Sequence, residues 1–184
     1  MELIENKENN LRFKSEISYT LANAIRRYVN EVPILAIDEV EISKNDSPLY
    51  DETVAHRIGL IPIKMESGKN SLKISLAVKR EGYVVSGDFS PAKVVYDKIP
   101  ITILDKGQEL EVVAEAKLGK GNEHAKYSPG FISYRGSLNP EDDKDSKELI
   151  ISVESFGQIS PKEIFIQSLD CLKKDFLEVA KKLK

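Results

Sequence analysis

Ser160-Pro161-Lys162-Glu163 fixes the start of a helix more tightly than any other segment of this 184-residue chain fixes anything. The Ser160 hydroxyl can accept the Glu163 amide while the Glu163 carboxylate reaches back to the Ser160 amide, and proline stands at the first helical position. Phe165, Leu169, Leu172, Phe176, Val179 and Leu183 then follow at spacings of 4, 3, 4, 3 and 4, a heptad-like stripe. Lys181, Lys182 and Lys184 sit where positive charge suits the helix dipole. On an isolated amphipathic helix such a stripe ordinarily covers its own domain. Here no later segment is read that could cover it, and the remaining helical part of the chain offers little other core. Full burial of each such side chain is worth roughly 1.5–3 kcal/mol, less the costs of association and ordering. The expectation is that this helix seeks a partner.

The start of the chain is organised differently. Leu11, Phe13 and Ile17 favour short strands meeting at a turn around Asn6 to Asn10. At Ser18 the period changes: Leu21, Ala24, Ile25, Tyr28 and Val32 fall at helical spacing, with Ser18 or Thr20 as N-cap and Pro33 as terminator. This places Leu21, Ile25, Tyr28 and Val32 on a buried face and Asn23, Arg26, Arg27 and Asn30 opposite. Residues 34–42 read as a strand. Residues 51–58 read as a short helix with Asp51 as N-cap, closed by Gly59 and Pro62. Segments 72–78, 83–85, 94–96, 99–104 and 109–118 read as strands broken by glycine and proline. Residues 119–130 are too rich in glycine and proline for either regular element, residues 139–148 form a charged loop, and Leu149 to Val153 is a strand. A helical start and a helical end thus flank a β-rich middle.

Several functions are disfavoured by composition. Lys+Arg 27 against Asp+Glu 30 gives a net charge of -3, so an independent nucleic-acid site lacks the usual basic surplus. Cys171 is the single cysteine. It permits no intramolecular disulfide, and with His56 and His124 it cannot complete a Cys/His zinc site or an iron–sulfur cluster, so no cofactor is expected. No apolar run approaches the ~20 residues of a membrane span, and the first residues lack the features of a signal peptide, so no membrane association and a cytoplasmic location are expected. Nucleophile-elbow, phosphate-loop and zinc-protease signatures are missing. Gly119-x-Gly121 begins a dinucleotide fingerprint, but His124 stands where a glycine is required. Glu123 beside His124 would make a hydrolytic acid–base pair on paper, yet neighbours in an extended loop point apart. His56 and His124 read as structural.

Four segments in series resemble one family. Tyr19-Thr20-Leu21-Ala22-Asn23-Ala24-Ile25-Arg26-Arg27, with Val32-Pro33 and Ile37-Asp38-Glu39-Val40-Glu41-Ile42 after it, resembles the first helix of the α-type assembly subunits of cellular RNA polymerases. Glu52 to Ile63 is similar to one branch of that family, the D-type subunits of archaea and the third-largest subunits of eukaryotes. The run from Gly107-Gln108 through Gly119-Lys120-Gly121-Asn122-Glu123-His124-Ala125-Lys126-Tyr127-Ser128-Pro129 is similar to the same branch. Glu154-Ser155-Phe156-Gly157-Gln158-Ile159 before the last helix fits as well.

The resemblance implies an α+β fold. Its discontinuous dimerisation domain, residues 1–33 plus 146–184, has helices on an antiparallel sheet, and a β-rich domain, residues 34–145, is inserted. It implies a non-catalytic scaffold subunit of a DNA-directed RNA polymerase that pairs with subunit L as a platform for the largest and second-largest subunits, with smaller polymerase subunits as further candidates. The dimer interface expected on this basis is Leu21, Ile25, Tyr28, Phe165, Leu169, Leu172, Phe176, Val179 and Leu183. Large-subunit contacts are expected at Arg26, Arg27, His124 and Lys126. The iron–sulfur or zinc modules of many relatives do not carry over, because their cysteines are missing here. An alternative, of a different class, is a homodimeric interaction module outside transcription.

Overall fold

The computed structural model describes residues 2–65, 70–91, 93–136 and 148–183. The chain divides into two compact units, one of Ile34–Gly119 and one of Met1–Pro33 with Lys120–Lys184.

The discontinuous unit is a sheet with two helices. Strands β1 (Glu2–Lys7) and β2 (Asn10–Glu16) form the hairpin expected around Asn6 to Asn10. Helix α1 (Tyr19–Tyr28) follows, capped by the Ser18 hydroxyl, which accepts the Leu21 amide at 3.2 Å. One 3-10 turn, Val29–Glu31, carries the chain to Pro33. At the other end of the sequence lie a strand Gly130–Gly136, a strand Glu148–Ser155 and a helix Pro161–Lys182. The last is capped as its sequence dictates: the Ser160 hydroxyl accepts the Glu163 amide at 3.3 Å, and the Glu163 carboxylate accepts the Ser160 amide at 3.1 Å.

The other unit holds β3 (Ile34–Asn45), α2 (Asp51–Gly59), β4 (Ser71–Val78), β5 (Gly82–Val85), β6 (Pro100–Leu104) and β7 (Leu110–Gly119). The strand, strand and helix at the end of the chain are therefore β8, β9 and α3. In this second unit β7 lies between β3 and β4, all antiparallel, and β5 pairs with β6. Val54 and Ile58, one turn apart on α2, are fully buried in a core with Ile37, Ile74, Leu76, Ile101 and Val112. This unit thus carries its own apolar core, the main driving force for folding.

The four-stranded sheet runs β1-β2-β9-β8, with all neighbours antiparallel. Phe13 pairs with Ile151, and Leu11 with Val153. Alternation along the strands turns Phe13, Ile132, Ile151 and Val153 into one core with Ile25 and Val29 of the N-terminal helical segment and Ile164 and Leu172 of α3.

Four expectations change. The units divide after Gly119, not at 145, because β8 is a strand of the discontinuous unit, paired with β9 from Gly130↔Ser155 to Gly136↔Leu149. Strand β8 itself was not expected: the glycine–proline run before it masks a short alternation in which Ile132 points inward and Phe131 and Ser133 outward. Its first residue must be glycine, since a Cβ at Gly130 would lie 2.0 Å from the Glu154 carbonyl oxygen. Segment 94–96 supplies only a single bridge, Val94 to Ile63. Asp51 is the first residue of α2 and Tyr50 its cap; the Asp51 carboxylate instead accepts the Asn45 amide at 2.7 Å. The charged loop expected at 139–148 lies outside the described residues except for Glu148, which begins β9.

Candidate functional site

On α1 the buried positions are Ala22 and Ile25, and the stripe continues through Val29 and Val32. The expected stripe is turned by about one position. The small Ala22 faces the sheet, and Leu21 is 40% exposed. Tyr28 is half-buried and its hydroxyl donates to the Asp175 carboxylate of α3 at 2.9 Å. That bond holds the Tyr28 hydroxyl above its usual range, because ionisation would set a phenolate against Asp175.

The long helix has two distinct halves. In the first, Ile164, Ser168 and Leu172 are buried, and the Ser168 hydroxyl donates to the Ile164 carbonyl at 2.7 Å. Phe165 meets Phe13 edge to face, with centroids 5.0 Å apart. Phe165 and Leu169 are partly buried, and with Leu3, Leu11, Phe13 and Ile166 they line an apolar groove of about 530 Å³ between the N-terminal hairpin and α3. In the second half every residue from Lys173 to Leu183 is exposed. Phe176 is 65% exposed and Leu183 83%, with Leu177 and Val179 also open to solvent.

The nine residues expected at a dimer interface therefore separate. Ile25 and Leu172 are committed to the chain's own core, and Tyr28 is tied to α3. Phe165 and Leu169 are shared between core and groove. Leu21, Phe176, Val179 and Leu183 stay exposed, and Leu177 and Ile166 join them. The heptad pattern did not single out these last two, because they lie one position beyond the stripe.

Arg26 and Arg27 are exposed on α1. Arg26 donates to the Asn23 side-chain oxygen at 3.0 and 3.2 Å. The 120–128 loop is built around its own backbone. The His124 Nδ1 accepts the Lys126 amide at 3.1 Å and caps the 3-10 turn Ala125–Tyr127. Lys126 lies over the Tyr127 ring, 5.1 Å from its centroid. Glu123 accepts the Lys120 amide, so His124 and Glu123 are each engaged with the backbone and not with each other. His56 is exposed on the last turn of α2.

Residues that carry no sequence pattern hold this loop in place. Glu31 accepts the Lys120 ammonium at 2.9 Å and also the Asn122 amide. The Cys171 thiol donates to the Glu31 carbonyl at 3.7 Å. Burial pushes that thiol up, and the Glu31 bond pushes the Lys120 ammonium up. No sequence period marks these contacts, since Glu31 and Lys120 are 89 positions apart. Among the described residues no group of three His, Cys, Asp or Glu side chains is placed to hold a metal ion.

The exposed apolar half-helix and the groove thus lie in the discontinuous unit, together with a loop tied to the 3-10 turn that follows α1. Comparison with known proteins gives the family. Residues 13–176 match the RNA polymerase Rpb3/Rpb11 dimerisation domain. The chain is 38% identical over 151 residues to the DNA-directed RNA polymerase subunit Rpo3 of Pyrococcus furiosus, covering 73% of this chain and 58% of that protein. It is 40% identical to the Rpo3 of Pyrococcus horikoshii over the same shares. With the Rpo3 of Methanocaldococcus jannaschii it is 38% identical over 165 residues, 87% of this chain and 82% of that one. The chain thus spans somewhat more than half the length of the Pyrococcus relatives. It belongs to the RNA polymerase Rpb3/Rpb11 dimerisation domain family.

Proposed function

We propose that the chain is a non-catalytic assembly subunit of an archaeal-type DNA-directed RNA polymerase. It pairs with a small subunit of the L type, and the pair receives the second-largest and largest subunits, with smaller subunits joining the same complex. The observation that carries this reading is the second half of α3. Phe176, Leu177, Val179 and Leu183 are large, apolar and open to solvent on one helix, and Leu21 is open on α1. Apolar surface of this kind is stabilised by removal from water. Pairing by helices suits a dimerisation-domain family, and the relatives are named as polymerase subunits. Arg26, Arg27 and the tip of the 120–128 loop are polar and exposed, and suit a second, more polar contact with a large subunit. The place of work is the cytoplasm; no helix among the described residues is long and apolar enough to cross a membrane.

Co-expression with an L-type subunit tests the proposal. The expected product is a 1:1 heterodimer by light scattering, which then captures the second-largest subunit. A chain that stays a stable monomer beside the L-type subunit overturns it. A chain that pairs only with itself favours the homodimeric module.

A further inference from the structure

We propose that Glu31 is the positioning residue that fixes the 120–128 loop for contact with a large polymerase subunit; the partner, though not the positioning, rests on the assembly reading above. Two parts of the discontinuous unit, the loop and α3, converge on this one side chain and its peptide, and a neighbouring side chain adds a further contact. The Glu31 carboxylate accepts Lys120 and Asn122 from the loop. Its carbonyl accepts the Cys171 thiol from α3. Its neighbour Asn30 packs against the loop backbone so closely that a Cβ on Gly121 would lie 2.7 Å from the Asn30 side-chain oxygen and 3.1 Å from its Cβ. The Ser128 hydroxyl is shared between that same Asn30 oxygen at 3.4 Å and the Gly130 carbonyl at 3.3 Å. The loop is therefore held near both ends, by Glu31 at Lys120 and Asn122 and by Asn30 at Ser128.

Between those two anchors Tyr127 is buried, while Glu123, His124 and Ala125 are exposed. The loop's internal bonds are short-range: the Glu123 amide to the Lys120 carbonyl at 2.9 Å, the Tyr127 amide to the His124 carbonyl at 3.0 Å, the Ser128 amide to the Ala125 carbonyl at 3.0 Å, and the His124 cap. A single 3-10 turn with two glycines beside it loses much backbone freedom when ordered. Two acceptor bonds to one carboxylate offset that loss and set where the exposed residues stand. A loop ordered before binding associates more tightly than one ordered on binding. Glu31 thus acts on a partner it need not touch.

The test uses the full chain and three charge variants of the Glu31–Lys120 pair: Glu31→Ala, Lys120→Glu, and the swap Glu31→Lys with Lys120→Glu. In the swap, Asn122 can turn its amide and offer its oxygen to the new lysine. Two quantities are read, hydrogen exchange at the amides of residues 123–128 and capture of the second-largest subunit by the reconstituted heterodimer. Each single variant should speed loop exchange by about threefold to tenfold, as loss of an exposed ion-pair cluster allows. Each should weaken capture by a comparable factor, leave exchange in β2 and β9 unchanged, and leave pairing with the L-type subunit intact. The swap should restore both readouts. Gly121→Ala, which displaces Asn30, should loosen the Ser128 end in the same way. Unchanged loop exchange in Glu31→Ala and Lys120→Glu overturns the positioning role. Faster exchange with full capture overturns it too, if Lys126→Ala still lowers capture. Global loss of protection in Glu31→Ala, not relieved by the swap, makes Glu31 a general stability residue and overturns the proposal. A wild-type heterodimer that captures no large subunit overturns the assembly reading and the partner named here, while the exchange result alone decides if Glu31 holds the loop.

Discussion

The Tyr28 hydroxyl donates to the Asp175 carboxylate at 2.9 Å and joins two helices whose partners stand 147 positions apart in sequence. The bond lies at the end of α1 and in the part of α3 where the apolar core gives way to exposed surface. It spends on the chain itself a tyrosine that the family resemblance marked for a partner.

A pH dependence follows from this pair. The hydrogen bond to Asp175, then burial and the Asp175 charge, raise the Tyr28 hydroxyl above its usual value near ~10. A raised value means that the protonated phenol is the form the fold prefers. Its contribution is complete below the unfolded value and is lost as pH rises through the folded one. The Lys120 ammonium is raised by Glu31 and contributes with the same sign. Stability should therefore hold through neutral pH and fall in the alkaline range. In an absorbance titration of tyrosinate, Tyr28→Phe should remove amplitude from the late, alkaline part of the curve. An unchanged late part would mean that Tyr28 is not raised.

The two halves of α3 should respond oppositely to the same substitution. Leu172 is 6% exposed in the core with Ile25, Ile151 and Ile164. Truncation of a buried leucine costs about 2–5 kcal/mol, and an aspartate there adds a buried unpaired charge. Leu172→Asp should thus melt the discontinuous unit, with loss of pairing only as a consequence. Phe176→Asp and Val179→Asp replace exposed residues. They should keep the thermal midpoint of the isolated chain within a few degrees and abolish the heterodimer. Circular dichroism melts alongside size-exclusion chromatography separate the two. Pairing that survives both exposed substitutions removes this half-helix from the interface.

The absence of metal from the expected chemistry is also measurable. One thiol and two histidines are too few for a Cys/His zinc site. Elemental analysis of the purified chain should find no stoichiometric zinc or iron. An iron–sulfur absorption band in the isolated chain would contradict this outright.

Local signals were legible where a few neighbouring residues decide the structure. The Ser160–Glu163 capping box stands as the sequence places it, and Ser18 is the one of the two candidate caps that is used. The first helix ends earlier than Pro33 requires, at Tyr28, and a 3-10 turn to Glu31 continues it. The α+β class was legible too. Which face of a helix is buried was not. A period of 3.6 is satisfied almost equally by Leu21–Ile25–Tyr28 and by Ala22–Ile25–Val29, and only packing against Ile132 and Ile151 selects the second. Strand β8 escaped because its pairing with β9 is non-local, and residues 119–130 before it carry turn chemistry. Glu31 escaped for a similar reason: a lone carboxylate after a helix has no pattern, and Lys120 reaches it only in the folded chain.

Arg27 separates pairing from assembly. It is exposed on α1, on the side away from the buried Ala22 and Ile25. Among the described residues it has no carboxylate partner, whereas Arg26 is already engaged by Asn23. A guanidinium left open in this way can grip a carboxylate with two parallel bonds or stack on an aromatic ring. Arg27→Ala should therefore leave the heterodimer with the L-type subunit intact and weaken capture of the second-largest subunit. Truncating a charged hydrogen-bonding group buried at an interface costs ~2–5 kcal/mol, a loss of about 30-fold or more in affinity. Lys126→Ala should act in the same direction with a smaller loss, because an ammonium offers a point charge and no planar fork. A pull-down of the reconstituted heterodimer reads both steps. Loss of the heterodimer itself in Arg27→Ala would put this face of α1 against the small partner. Unchanged capture would make Arg27 a solvated surface residue and leave the large-subunit contact to the 120–128 loop alone.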